Sequence, residues 1–226
     1  YGITRAPSYT LQKQLDSYGT IIQTNSLTAT LTRDSRDFYL DPKTGSRNTL
    51  SFTYAGGPHG GEPEFIKTTA DSAWYFPLFW ETVFMTRGRL GYAKTLNDLP
   101  LPTGDRFFVG GASSVRGYRY GTVGPMEIAP DGTIIRVGGS KELIFNFEFN
   151  FPIVPAARLK GLLFYDIGKA FSDTEQISFS ELRRSYGWGF WWLSPMGPLR
   201  FEWGHIVNQQ PLDQRSAFEF SIGAQF

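Results

Sequence analysis

The chain has 226 residues, 41% apolar and 16% aromatic, enough for one domain of ordinary size with a large buried or lipid-facing surface. Its 22 basic and 21 acidic side chains leave a formal charge of +1, so no electrostatic signal points to nucleic acid. The absence of cysteine excludes thiol catalysis and disulfides, and no run approaches the roughly 18 apolar residues that a membrane helix needs. Mean hydropathy is -0.25. That value still admits a membrane β-barrel, whose strands alternate lipid-facing apolar residues with polar lumen residues.

The recurring pattern is alternation with period two, the mark of a sheet that shows a different solvent to each face. A first strand is expected near 23–36, with Leu27, Ala29 and Leu31 opposing Thr28, Thr30 and Thr32. Leu50, Phe52 and Tyr54 follow, opposing Thr49, Ser51 and Thr53, and further strands are expected at about 64–76 and 81–94. The clearest run sets Leu143, Phe145, Phe147, Phe149 and Phe151 against Ile144, Asn146, Glu148 and Asn150. Strands at about 158–171 and 181–193 come next, then Leu199, Phe201 and Trp203 against Arg200, Glu202 and Gly204. The last strand sets Phe218, Phe220, Ile222, Ala224 and Phe226 against Glu219, Ser221, Gly223 and Gln225, making about nine strands with helical periodicity nearly absent. Strands of roughly 10 residues or more suit a tilted membrane wall, whereas soluble sheets favour about five or six.

Connections alternate between tight and long. The tight ones carry proline, which fixes φ and ends the ladder: Asp41-Pro42, Phe76-Pro77-Leu78, Phe151-Pro152 through Pro155, and Ser194-Pro195-Met196-Gly197-Pro198. The long ones fall at about 55–63, 95–132, 172–180 and 208–216. Trp74, Trp80, Tyr92, Trp188, Trp191 and Trp192 are placed for an interfacial aromatic girdle. His59 and His205 sit in no Ser/His/Asp or metal-ligand arrangement, and no phosphate-binding Gly-x-x-x-x-Gly-Lys-Ser/Thr segment occurs. No catalytic residue, metal site or cofactor is therefore expected.

The longest connection reads Gly110-Gly111-Ala112-Ser113-Ser114-Val115-Arg116-Gly117-Tyr118. It resembles the BamA superfamily of outer-membrane assembly proteins, in which a Gly-Gly-x-x-Ser-Val-Arg-Gly-Phe/Tyr segment tips a long loop folded back into the barrel lumen. Glycine permits a tight reversal, and arginine carries a permanent multi-donor charge that needs a carboxylate when buried. The resemblance supplies Asp166, because Phe164-Tyr165-Asp166-Ile167-Gly168 is similar to the family's aromatic-x-Asp-x-Gly strand, with Gly168 its motif glycine. Parity agrees: with Leu163, Tyr165 and Ile167 toward lipid, Asp166 faces the lumen. The turn at Ser194–Pro198 and the terminal strand also match, the latter as a C-terminal β-signal carried by Phe218, Phe220, Ile222 and Phe226, with Gly223 a family glycine at the seam.

The resemblance, which covers residues 23–226, implies an all-β fold: an antiparallel transmembrane β-barrel of which this chain holds about nine C-terminal strands out of sixteen, with a lumen-entering loop. Residues 1–22 are then expected to be an extracellular loop remnant, and 23–226 barrel strands including the long loop 95–132. The implied role is folding and insertion of outer-membrane proteins in the bacterial outer membrane, through a lateral seam and strand templating without chemical catalysis. The alternative is a two-partner secretion pore or a TamA-like translocation pore. Implied partners are the lipid bilayer, unfolded outer-membrane protein clients, assembly lipoproteins in the full-length context, and self-association through open strand edges.

Overall fold

The structure, a computed structural model, describes residues 9–129, 131–195, 197–211 and 213–223, with the backbone alone at His59. Phe226 of the expected β-signal and Met196 of the Ser-Pro turn lie outside the described residues. The strands in chain order are β1 (Ser26–Asp34), β2 (Gly45–Ala55), β3 (Phe65–Pro77), β4 (Val83–Thr95), β5 (Met126–Ile128), β6 (Ile134–Arg136), β7 (Lys141–Val154), β8 (Leu159–Phe171), β9 (Arg183–Ser194), β10 (Gly197–Val207) and β11 (Ser216–Ile222). Nine of them form one antiparallel sheet in the order β1-β2-β3-β4-β7-β8-β9-β10-β11, and β5 and β6 pair separately inside the long connection. The expected all-β antiparallel wall of about nine strands is what the chain forms.

Alternation becomes sidedness. Leu31, Leu50, Leu163, Trp188, Phe218 and Phe220 stand exposed on the convex face, an apolar surface that water would penalise and acyl chains would not. The opposite parity of the sheet puts Arg87 of β4, Asn146 and Glu148 of β7, Asp166 of β8, and Arg200 and Glu202 of β10 on the concave face, all buried. The sheet curls strongly enough for the β1–β2 turn to cross the concavity: Asp41 meets Lys160 of β8 at 2.5 Å, although β2 and β8 are separated by three strands in the sheet.

Four expectations need correction. Residues 9–18, expected as loop, form a helix α1 (Tyr9–Tyr18). It is held by polar docking rather than by an apolar stripe. The Glu127 carboxylate accepts the Thr10 N–H at 2.9 Å in the first turn, where the helix dipole favours a negative charge. Gln14 Oε1 accepts from the Thr103 hydroxyl at 2.6 Å, and the Tyr18 hydroxyl donates to the Pro100 carbonyl at 2.7 Å. Second, the long connection runs over 96–140 rather than 95–132, because it contains the β5–β6 hairpin and then pairs Phe107 with Gly139. Third, the β3–β4 turn extends past Glu81: Trp80 and Glu81 take φ of 51° and 57°, and β4 begins only at Val83. Fourth, Trp191 is not a girdle residue. It lies 6% exposed on the concave face with the Lys160 ammonium 5.1 Å from its ring centroid, as its odd parity against Trp188, Phe190 and Trp192 requires.

Candidate functional site: the loop tip in the lumen

The chain from 110 to 121 turns back into the concavity and seats one guanidinium at its centre. Arg116 is fully buried. Its Nε and Nη2 donate to Asp166 Oδ2 and Oδ1, each at 2.8 Å, which is the two-pronged geometry that makes arginine–carboxylate pairs specific. Its backbone N–H donates to the same carboxylate at 3.0 Å. Nη1 reaches Glu148 of β7 at 2.7 Å and Glu202 of β10 at 2.6 Å. The Phe164 ring lies 3.8 Å beneath the guanidinium carbon, a cation–π contact in a desolvated site.

Around this centre the charges are paired twice over. Arg200 Nη2 donates to Glu148 at 2.5 Å and to Glu202 at 3.0 Å, so two guanidiniums serve three carboxylates. Asn146 bridges outward: its amide donates to Asp166 at 2.9 Å and to the Ser114 carbonyl at 2.6 Å, and its carbonyl accepts from Arg87 at 3.4 Å. Desolvating so many ions is costly, and the arrangement holds only because each has close opposite partners; removing one partner of such a set typically costs about 3–5 kcal/mol.

Shape completes the seat. Val115 is buried against β8 because Gly168 has no side chain; a Cβ there would lie 3.0 Å from the valine methyl and 2.9 Å from the Leu143 carbonyl. Gly117, at φ +88°, meets Gly204 of β10 backbone to backbone, and a Cβ on Gly204 would stand 2.5 Å from the Gly117 nitrogen. The Gly117 N–H donates to Glu219 of β11 at 2.9 Å and its carbonyl accepts from Gln214 at 3.2 Å. Tyr118 is buried, donates to the Arg184 carbonyl at 3.2 Å, and lies under the Arg183 guanidinium at 5.3 Å; Arg183 is in turn paired with Asp213.

The structure thus brings Val115, Arg116, Gly117, Tyr118, Asp166 and Gly168 together. Phe218, Phe220 and Ile222 are elsewhere, on the convex face, with Phe218 packed on Trp203 at 4.8 Å and Phe220 on Phe201 at 5.0 Å. Gly223 follows the end of β11 at φ +102° and donates to the Pro198 carbonyl at 2.8 Å. Glu148, Glu202, Arg200, Asn146 and Glu219 were not singled out from sequence. Their parity signal was available, since each alternates with an outward aromatic.

The Omp85 superfamily domain matches residues 4–226. The chain belongs to the Omp85 superfamily. Over 198 residues this Omp85 chain is 31% identical to the outer membrane protein assembly factor BamA of Nitratidesulfovibrio vulgaris, covering 86% of this chain and 25% of that protein. It is likewise 31% identical to the BamA of Neisseria meningitidis serogroup B, covering 74% of this chain and 24% of that protein. The chain therefore spans about a quarter of the length of these relatives. The crystal structure of BamA from Haemophilus ducreyi lacking POTRA domains 1–3 superimposes with a TM-score of 0.81 at 21% identity, covering 95% of this chain and 47% of that one. CdiB from Acinetobacter baumannii shares the fold with a TM-score of 0.54 at 15% identity, covering 87% and 32%. The chain is a portion of a BamA-like barrel of the bacterial outer membrane, and its nine-stranded sheet is open, with β1 and β11 at the edges.

Proposed function

We propose that the chain is the C-terminal part of the barrel of a factor that folds and inserts outer-membrane proteins, working by strand templating at the β11 edge rather than by chemical catalysis. The observation that carries this reading is the loop tip locked onto β10 and β11, the strands beside the edge where templating would occur. Arg116 ties the loop to β7, β8 and β10, and Gly117 extends the tie to β11, whose other side has no strand partner among the described residues. Such an edge offers a row of unpaired N–H and C=O groups to an incoming strand. The anchored tip holds the register of β10 and β11 while that exchange takes place.

On this reading α1 and the long connections face the cell exterior and the proline turns face the periplasm. The partners are the bilayer and unfolded outer-membrane protein clients, together with assembly lipoproteins in the full-length protein, and the open edges allow self-association. Phe218, Phe220 and Ile222 present the apolar side of the terminal strand to lipid. The test is assembly of a reporter barrel by the full-length protein in liposomes, read as heat-modifiable mobility of the client. Arg116→Ala is expected to lower the yield at least about tenfold while the variant itself still folds, and normal yield would refute the role given to the tip. Secretion of a soluble passenger in place of barrel assembly would favour the translocation-pore alternative.

A further inference from the structure

The concave face has a second charged region that the loop tip leaves uncovered. Across β1 to β4 it forms a cavity of about 570 Å³ whose lining includes Arg36, Arg47, Arg87 and Arg89 against Asp34 and Asp71. We propose that this region is a binding site for a soluble polyvalent oxyanion of the phosphate or sulfate class.

The charge ratio is the reverse of that at the loop tip: four guanidiniums here face two carboxylates. Asp71 is saturated, receiving Arg87 at 2.6 Å and Arg89 Nε at 2.8 Å, and Asp34 is held by Arg36 at 2.8 Å. Beyond the lining, the buried Glu142 and the half-buried Lys67 carry opposite charges, so among the described residues the excess stays at two positive charges. Among the described residues, Arg47 stands opposite Asp34 and interacts with it by charge without a hydrogen bond, and Arg89 reaches Asp71 through Nε, with its two terminal nitrogens available. A guanidinium presents donors in a planar fork that matches a tetrahedral oxyanion, and several donors are needed when the anion is divalent.

Hydroxyls supply the rest. Arg47 is followed on the same face by Thr49 and Ser51, which pair with Thr32 at 3.3 Å and Thr30 at 3.1 Å. In each pair one hydroxyl donates to the other, leaving one O–H free to donate elsewhere. The register sets Thr49 opposite Asp71, and Asp71 opposite Arg89, so the backbones of Arg47 and Arg89 lie about 12 Å apart with the hydroxyl-bearing positions beside them. Lipid phosphate is the wrong source. Leu31, Leu50 and Leu90 of the same strands mark the convex side as the lipid face, and the arginines have the opposite parity.

The test is calorimetric titration of the full-length protein in nanodiscs with sodium phosphate, against sodium chloride at matched ionic strength. Saturable one-to-one heat with phosphate and none with chloride is expected. The Arg47→Gln/Arg89→Gln variant should bind at least about tenfold more weakly, and Arg47→Gln alone serves if the double variant fails to fold. Arg33→Gln, on the convex face, should bind as the parent does. Non-saturable heat in the parent, or equal binding by the parent and the arginine variant, would overturn the site. So would weaker binding by Arg33→Gln or a dependence on the phospholipid of the nanodisc, either of which would point to lipid phosphate.

Discussion

The two halves of the concave wall share one strand grammar and end in opposite states. On β7 to β10 the inward charges meet a loop tip, lose water and find partners at 2.5–3.0 Å. On β1 to β4 the same alternation delivers arginines, aspartates and hydroxyls to a cavity of about 570 Å³ that, among the described residues, the loop tip leaves open. Alternation decides which side a residue faces, and the loop decides whether facing inward means buried or wet. A charge seated under the loop tip is consequently costly to disturb, and a solvent-facing one such as Arg47 on the open half is cheap.

The largest effect is expected where the packed half loses its centre. Arg116→Ala leaves Glu148 and Glu202 with Arg200 alone and Asp166 with the Asn146 amide, and should destabilise the folded protein by about 3–5 kcal/mol in urea titration in detergent. Arg47→Ala on the open half should change the same midpoint by less than about 0.5 kcal/mol. An Arg116→Asp, Asp166→Arg exchange should recover little, because the new aspartate would face Glu148 and Glu202; strong recovery would mean that Asp166 acts alone.

Next in size is the backbone seat. Gly204→Ala places a methyl 2.5 Å from the Gly117 nitrogen, so the tip must lift; a loss of about 1–3 kcal/mol is expected, with protease cleavage appearing in 110–121. Glu219→Gln should be close to neutral or slightly stabilising. Its amide oxygen can still accept the Gly117 N–H, and its amide nitrogen can donate to Glu202, the directly opposite residue, whose Oε2 has no partner among the described residues. A loss above about 1 kcal/mol would show that the carboxylate charge itself is required.

The smallest effect lies outside the wall. Burial, and after it the nearby Glu62 carboxylate, push the Tyr18 phenol up from its ordinary 10.0 to about 12. The neutral phenol is therefore favoured in the docked state. Its contribution is fully present below pH 10 and is lost as pH rises through about 12, so α1 should release in that window while the sheet stays intact. Tyrosine absorbance followed together with far-ultraviolet dichroism checks this, and a phenol titrating near 10 would contradict it.

Much of this was legible in the residues, for reasons that can be named. Phe145, Phe147 and Phe149 alternating with Asn146 and Glu148 specify both a strand and its sidedness, because one slip would put the charges in lipid. The tip was legible through its Gly-Gly and Val-Arg-Gly-Tyr spacing, and Asp166 through the motif around it. Glu148 and Glu202 escaped selection because parity places them inward without saying which inward residues meet; that depends on the curl bringing β7 and β10 to one guanidinium. The helix α1 escaped because it docks through Thr10, Gln14 and Tyr18, polar contacts that leave no apolar stripe to read.

The most direct test of the contrast between packed and open halves is native-state hydrogen exchange of the Arg116 and Gly117 amides, which donate to Asp166 at 3.0 Å and Glu219 at 2.9 Å. In the full-length protein in lipid they should exchange as slowly as the amides of β8 and β9. Exchange as fast as in the 208–215 connection would show that the tip is not seated, and the contrast between the two halves would fail with it.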